Sequence, residues 1–477
     1  MPAGRRSGVL QPDGDDRSSQ GWGSGWQRAR PTRRGAGGGG GRRAAGRGLR
    51  PLLTAVTALC TLVLVAGCSA LGSSLRLVWE APVDAGARNY GNGAWLVGET
   101  LVRSRYDAVG AFDARTGTVR WEYAPPRQEH ICAVSRRTAG SVLLIARGNM
   151  TEAGCSTVAA LDLTSGRERW HTPRTPGGNL TETFTEMVAV GGGVAVLRDA
   201  DEMWTIDDDP RTPGSRPAVS GTKALRAFDL RTGAPRWTAA VPEGCVPEQV
   251  DAGERQVVAV LACGRTELRL AAFDPVGGGL RWTASLGGRA APAPDGQLAL
   301  LSAEPPVVRS GGTTEGGPGA FLFFGEDGNA AGRIETSGGY GALQAHAPAL
   351  VTVADGRLYA GAEIRERTAY RDRVVAFDLA SGRQVWLEDV AVAGGLRALD
   401  VTGGRVTVLA DRGSRQGGLD DLVVLDAATG EEKESIDTGV DVDRNSGELA
   451  GLRVYEDLVV AVRRGSGVRP FSAYTRD

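Results

Sequence analysis

Histidine is scarce in this 477-residue chain: His130, His171 and His346 are the only three. None lies at metal-ligand spacing from another, and no serine elbow accompanies them, so neither a histidine-built zinc site nor triad hydrolysis is supported. Lysine is scarcer still. Only Lys223 and Lys433 occur among 55 basic residues, a bias that reflects coding composition rather than physics. Net charge is almost absent too, at −1, but residues 1–67 hold eleven arginines against Asp13, Asp15 and Asp16, a charge of +8, which leaves −9 for the remainder. An acidic main body argues against nucleic-acid or anionic-lipid binding, which need a clustered basic face. Aromatics make up 6% of the chain, whereas there are 70 glycines and 23 prolines. That balance disfavours long helices and suits many short strands joined by tight turns.

Residues 1–50 carry almost no apolar periodicity and include an unbroken glycine-rich run at 35–41, so they are expected to be disordered. Arg42, Arg43, Arg47 and Arg50 then precede the apolar run 52–66, the order of a signal peptide's charged and hydrophobic regions. Arg33 and Arg34 lack the following apolar residues that a twin-arginine signal requires. The run closes with Leu64, Val65, Ala66, Gly67 and Cys68, which resembles the lipobox of bacterial lipoproteins. The resemblance implies that the small residues admit the chain to a peptidase and that the Cys68 thiol is the acyl acceptor. A single membrane anchor is the alternative, although 15 residues is short for a spanning helix. The expected organisation is a leader over 1–67, a short tether over 68–74 and one domain over 75–477. That domain is expected outside the cytoplasm, anchored to the outer face of the cell membrane.

The strongest signal is an internal repeat. Ala111-Phe-Asp113 is followed by Gly117 and Trp121, and Ala160-Leu-Asp162 by Gly166 and Trp170, in an identical frame. The frame recurs as Asp229, Gly233 and Trp237, as Asp274, Gly278 and Trp282, and as Asp378, Gly382 and Trp386. It reads as a β-hairpin in which an apolar strand ends at Asp, whose carboxylate accepts turn amides, while Gly supplies a positive φ and the next strand delivers Trp. With Trp79, six of the eight tryptophans beyond the leader occupy this one position, so the ring must meet the same blade-to-blade environment each time. A second hairpin precedes each frame, as at 188–196, 351–359 and 399–408, where alternating apolar residues flank a glycine turn. Two hairpins make four strands, which is one propeller blade.

Degenerate frames near Ile334 and Ile436 bring the count to seven. Residues 75–79 form a lone final strand, and Ser472, Ala473 and Tyr474 end the chain without a Trp strand, so the two complete each other. The expected fold is all-β: an eight-bladed β-propeller of four-stranded antiparallel blades, closed by the N-terminal strand joining the C-terminal blade. Cys132 and Cys245 each precede a first strand, and Cys155 and Cys263 each follow a second strand. Equivalent positions in two blades favour the bridges Cys132 to Cys155 and Cys245 to Cys263, with free buried thiols as the alternative.

The Ala-Phe-Asp, Thr-Gly and Trp frame resembles the repeat of the pyrroloquinoline-quinone propeller superfamily over essentially all of residues 75–477. That resemblance implies one of two branches: quinoprotein dehydrogenases, which bind quinone and calcium at the propeller centre, or BamB-like lipoproteins, which use the propeller as a scaffold. Many members of the first branch carry adjacent cysteines beside the cofactor, and no such pair exists here. Size and the lipobox favour the scaffold branch as well, to which no catalytic residue, cofactor or metal is assigned; a quinoprotein oxidoreductase or an extracytoplasmic ligand sensor is the alternative reading. The scaffold would be a monomer that binds an unidentified envelope protein or ligand, with no nucleic-acid partner and with membrane attachment through its lipid anchor.

Other candidates read as structure. Asp441, Asp443 and Asn445 alternate like a calcium loop but lack the glycine and glutamate that such a loop needs, and Asp207, Asp208 and Asp209 fit a solvated turn. Gly191, Gly192 and Gly193 lack the lysine and helix of a phosphate loop. The segments 199–221 and 304–317 read as loops presenting a binding face.

Overall fold

Alternating aliphatic residues across glycine turns produce strand after strand, and the computed structural model of the protein arranges them in eight radial sheets. It describes residues 74–476 apart from 85–90, 127–128, 150–153, 175–186, 200–223, 264–266, 289–297, 312–318, 367–368, 393, 412–419, 439–441, 443–447 and 466. The leader, the lipobox and the two acidic motifs therefore lie outside the described residues. Among the described residues no helix is long and apolar enough to cross a membrane.

Numbered along the chain, the blades span 91–123, 130–173, 188–240, 245–288, 298–335, 337–392, 396–437, and 448–476 together with 75–80. Seven are four-stranded antiparallel sheets. The sixth carries an added hairpin, Ser337–Gly338 with Gly341–Leu343, that pairs with the far end of the long strand Arg357–Glu366. In the eighth, Leu75–Glu80 pairs antiparallel with Phe471–Arg476, with Leu75 opposite Arg476 and Trp79 opposite Ala473. The chain ends thus seal the ring, and the seal is reinforced at the first blade. Asp84 bonds through its amide to the Val468 carbonyl at 2.9 Å and through its carboxylate to Arg103 at 2.8 Å.

The core is divided among the blade interfaces. Val109 and Ala111 of blade one pack with Leu143 and Ile145 of blade two, and Leu101 of blade one packs with Val460 and Phe471 of blade eight. Each buried aliphatic side chain contributes about 1.5–3 kcal/mol, so stability is spread around the ring rather than held in one centre.

The repeat residues join one blade to the next. Asp113 accepts the Thr116 amide at 2.8 Å, and Gly117 donates its amide to the Asp113 carbonyl at 2.8 Å with φ of 70°. The same turn forms at Asp162, Asp229, Asp274, Asp378 and Asp426, closed by Gly166, Gly233, Gly278, Gly382 and Gly430. Except at Gly382, an indole of the preceding blade lies against that glycine. Trp79 donates Nε1–H to the Ala114 carbonyl at 3.2 Å, Trp121 to Leu163 at 3.1 Å and Trp170 to Leu230 at 2.9 Å. Trp237, Trp282 and Trp386 do the same to Pro275, Glu326 and Ala427. A methyl group at Gly166 would sit 2.5 Å from Trp121, so the seat requires glycine for space as well as for φ.

The degenerate frames have specific explanations. In blade five the Trp position is Gly332, paired with Phe323, and the Phe323 ring fills the space and reaches the Gly382 seat of blade six. In blade seven it is Glu434, because the next blade is sealed by chain ends and has no glycine turn to receive an indole.

Two further expectations change. Cys132 lies within the first strand His130–Val134, and Cys155 begins to pair in the third strand, Gly154–Asp162. Cys245 and Cys263 instead face each other across the first two strands. Cys132 is bonded to Cys155 and Cys245 to Cys263, but the positions are not equivalent: a bulge at Cys132 turns it toward the third strand. The segment 304–317 is not a loop throughout, since Pro306–Ser310 is the second strand of blade five, its apolar Val307 and Val308 being buried.

Gly166→Ala is expected to cost about 1–2 kcal/mol for the left-handed backbone and about 1–3 kcal/mol more for displacing the indole. Gly140→Ala, at φ of 56° with nothing within 4 Å, should show only the first cost. Urea unfolding of both variants checks the difference. The turn carboxylates predict an acid transition as well. The Arg120 hydrogen bond holds Asp113 down to about 2, and at Asp162 burial is outweighed by Thr164 and Arg169, again to about 2, against an ordinary 3.8. Folded values below unfolded ones mean that the stability they give is present above pH 3.8 and is lost as pH falls toward 2. An Asp113→Asn, Asp162→Asn double variant should flatten the decline of the urea midpoint over that range.

Candidate binding site

In blades one to four the residue before the tryptophan completes the turn. Arg120 reaches Asp113 at 2.6 Å, Arg169 reaches Asp162 at 2.6 Å, Arg281 reaches Asp274 at 2.5 Å, and Arg236 pairs with Asp229. These pairs are exposed and contribute little individually. Together with the seated indoles they place Asp113, Gly117, Trp121 and their equivalents in the framework rather than in a reactive site.

A different set converges at the axis. In a radial array the first strand of each blade faces the central channel, so side chains near its end and in the following turn crowd the channel mouth. Arg137, in the turn of blade two, donates Nη2–H to the Ser302 hydroxyl of blade five at 3.0 Å. Blades two and five are not neighbours, so this bond crosses the axis. Trp95 of blade one donates to the Arg136 carbonyl at 3.0 Å. Next to Trp95, the Ala94 carbonyl accepts from Arg453 of blade eight at 3.0 Å, and Arg453 lies 3.8 Å from Asp400 of blade seven.

Asp251 of blade four belongs to the same group. It is 3% exposed, and one carboxyl oxygen accepts the Ala252 amide at 3.0 Å while the other has no hydrogen-bond partner. Burial pushes its carboxyl above the usual range, with Arg137 and Arg136 acting in the opposite sense. Burial likewise raises Asp400, opposed by the Thr402 hydroxyl and Arg453, and lowers Arg453, opposed by Asp400. Desolvated charges of both signs, held by rigid strands, can recognise a polar or charged group.

The histidines stand apart from this set. His130 stacks on Tyr106 at 4.1 Å between ring centroids, His171 lies 3.2 Å from Glu168, and His346 is exposed. Calcium bound with a quinone requires converging oxygen ligands. Among the described residues no group of three or more His, Cys, Asp and Glu side chains could hold a metal ion, and Asp400 sits beside a guanidinium group. The described residues do not supply such a ligand set.

None of the axial residues stood out in the sequence, because Arg137 and Ser302 are 165 positions apart. Asp400 and Asp251 carry no clear signal either, since their strands also hold Arg397 and Glu248. The turn arginines had one, recurring directly before tryptophan.

Residues 74–299 match the family model described as outer membrane protein assembly factor BamB. Among solved structures, BamB from Moraxella catarrhalis is 16% identical, with 84% of this chain and 97% of that one covered and a TM-score of 0.41. Quinohemoprotein alcohol dehydrogenase from Comamonas testosteroni is 14% identical, with 84% and 76% covered and a TM-score of 0.44. Sqt1 of Saccharomyces cerevisiae is 9% identical, with 84% and 100% covered and a TM-score of 0.45. At these identities and scores the three do not choose among their activities. No curated protein matches.

The buried acid at the axis gives a pH prediction. Asp251 has a folded value raised above its ordinary 3.8, so its carboxyl favours folding below that pH and disfavours it as pH rises through the folded value. Asp251→Asn should therefore match the wild type at low pH and exceed it in urea midpoint at pH 7. A lower midpoint at pH 7 would mean that Arg136 and Arg137 outweigh burial.

Proposed function

We propose that this β-propeller of the PQQ-repeat superfamily, BamB-like over residues 74–299, is an envelope lipoprotein. It is attached to the membrane through Cys68 and works as a binding scaffold rather than an oxidoreductase. The observation that carries the reading is the axial cluster. Arg137 bonded to Ser302 across the ring, with Asp251, Asp400 and Arg453, supports recognition of a polar or charged partner group and supplies no oxygen cage for calcium. The lipobox-like sequence ending at Cys68 supports attachment, and two disulfides suit an oxidising compartment. The partner is an envelope protein or ligand that meets the channel mouth, where the turns between first and second strands gather.

Two experiments test this reading. Radiolabelled palmitate should enter the wild-type protein and be lost in Cys68→Ser; unchanged labelling contradicts the anchor. A photocrosslinker placed at Arg453 should capture a neighbour in intact cells more strongly than one placed at Val119 on the outer rim. Dye reduction with an alcohol or sugar after addition of quinone and calcium would instead establish the oxidoreductase.

A further inference from the structure

We infer that the outer strand of the eighth blade, Leu75–Glu80, rests against the lipid surface to which the protein is anchored, and so fixes the tilt of the propeller on the membrane. This rests on the proposed lipidation of Cys68. Every blade ends in an outer strand that is an open edge, and what such an edge shows to solvent is normally charged. In blades one to four the residue before tryptophan is an arginine bound to the turn aspartate. Blade eight has no such turn, because its last two strands come from opposite ends of the chain, and the corresponding residue is Val78.

A bulge between Leu77 and Trp79 takes Val78 out of the ladder. Leu77 is 45% exposed and Val78 42%, and Val83, shortly after the strand, is 49% exposed. Among the described residues the other outer strands show one exposed large aliphatic residue at most, Val119, Leu280 or Val385, with Val276 also exposed in the turn before Leu280. Scattered apolar residues need no explanation, but three within seven positions do.

Chain length identifies what covers them. Leu75 is seven residues after Cys68, and seven residues span at most about 25 Å. An acyl group on Cys68 therefore keeps this strand, and not the far side of the ring, beside the headgroups. A lipid tether fixes position without fixing orientation, and a second apolar contact supplies the orientation. With −9 on the rest of the chain, charge gives the other faces no reason to approach an anionic leaflet, which leaves contact to the aliphatic strand.

The test uses the full lipidated chain in vesicles of phosphatidylcholine and phosphatidylglycerol. An environment-sensitive thiol dye is attached at Val78→Cys or, as a control, at Val276→Cys, a position 72% exposed in the turn of blade four. Iodide quenching is expected to fall several-fold at position 78 relative to the same protein made without lipid through Cys68→Ser, and to stay unchanged at position 276. Equal quenching at both positions, with palmitate incorporation demonstrated, overturns the inference while leaving the anchor intact. Absent palmitate overturns the anchor and the inference together. Protection at position 78 that grows with protein concentration in the unlipidated form assigns the strand to a second copy, and overturns the lipid contact.

Discussion

An indole lying on a glycine of the following blade is the contact on which the rest of this molecule depends. The ring supplies a large apolar face, but its N–H must find an acceptor once covered. The carbonyl after the turn aspartate is that acceptor, and only a residue without Cβ leaves room for the ring beside it. Aspartate, glycine and tryptophan therefore form one device spread over two blades: the first two shape the seat and the third comes from the neighbour. Exceptions follow the same logic. Phe323 takes over where Gly332 has removed the indole, and blade seven dispenses with one where the next blade offers no seat.

Closure follows from that dependence. A ring whose blades lean on their successors needs its last blade to lean on its first, and Trp79 in the strand contributed by the chain's beginning does this against Gly117 and Ala114. The salt bridge of Asp84 with Arg103 and the amide bond of Asp84 to Val468 tie the same segment to both blades. A rigid closed ring in turn holds eight first strands around an axis, which lets Arg137 meet Ser302 and Arg453 approach Asp400. The fold supplies the positions; the charges placed there decide what the channel mouth can recognise.

Legibility in the sequence tracked locality. The hairpin from Asp113 to Trp121 spans nine residues, so turn chemistry and strand alternation are visible together, and the number of blades follows from counting them. The pairing of residues 75–80 with the last strand was legible because each end lacked what the other had. The seat of each tryptophan was only half legible, since its glycine belongs to the next repeat. The axial cluster was not legible at all, because blades two and five meet only after the ring has closed. The hairpin added to blade six was hidden as well, its strands being two and three residues long and without clear alternation.

The most direct test of this account is a double-mutant cycle on unfolding free energy. Trp121→Leu is combined with Gly166→Ala, its own seat, and separately with Gly278→Ala, the seat of Trp237. The account predicts that the first pair costs less than the sum of its single variants by at least about 0.5 kcal/mol, because the ring that an alanine would strike is already gone, while the second pair sums. Additivity in both pairs would contradict it.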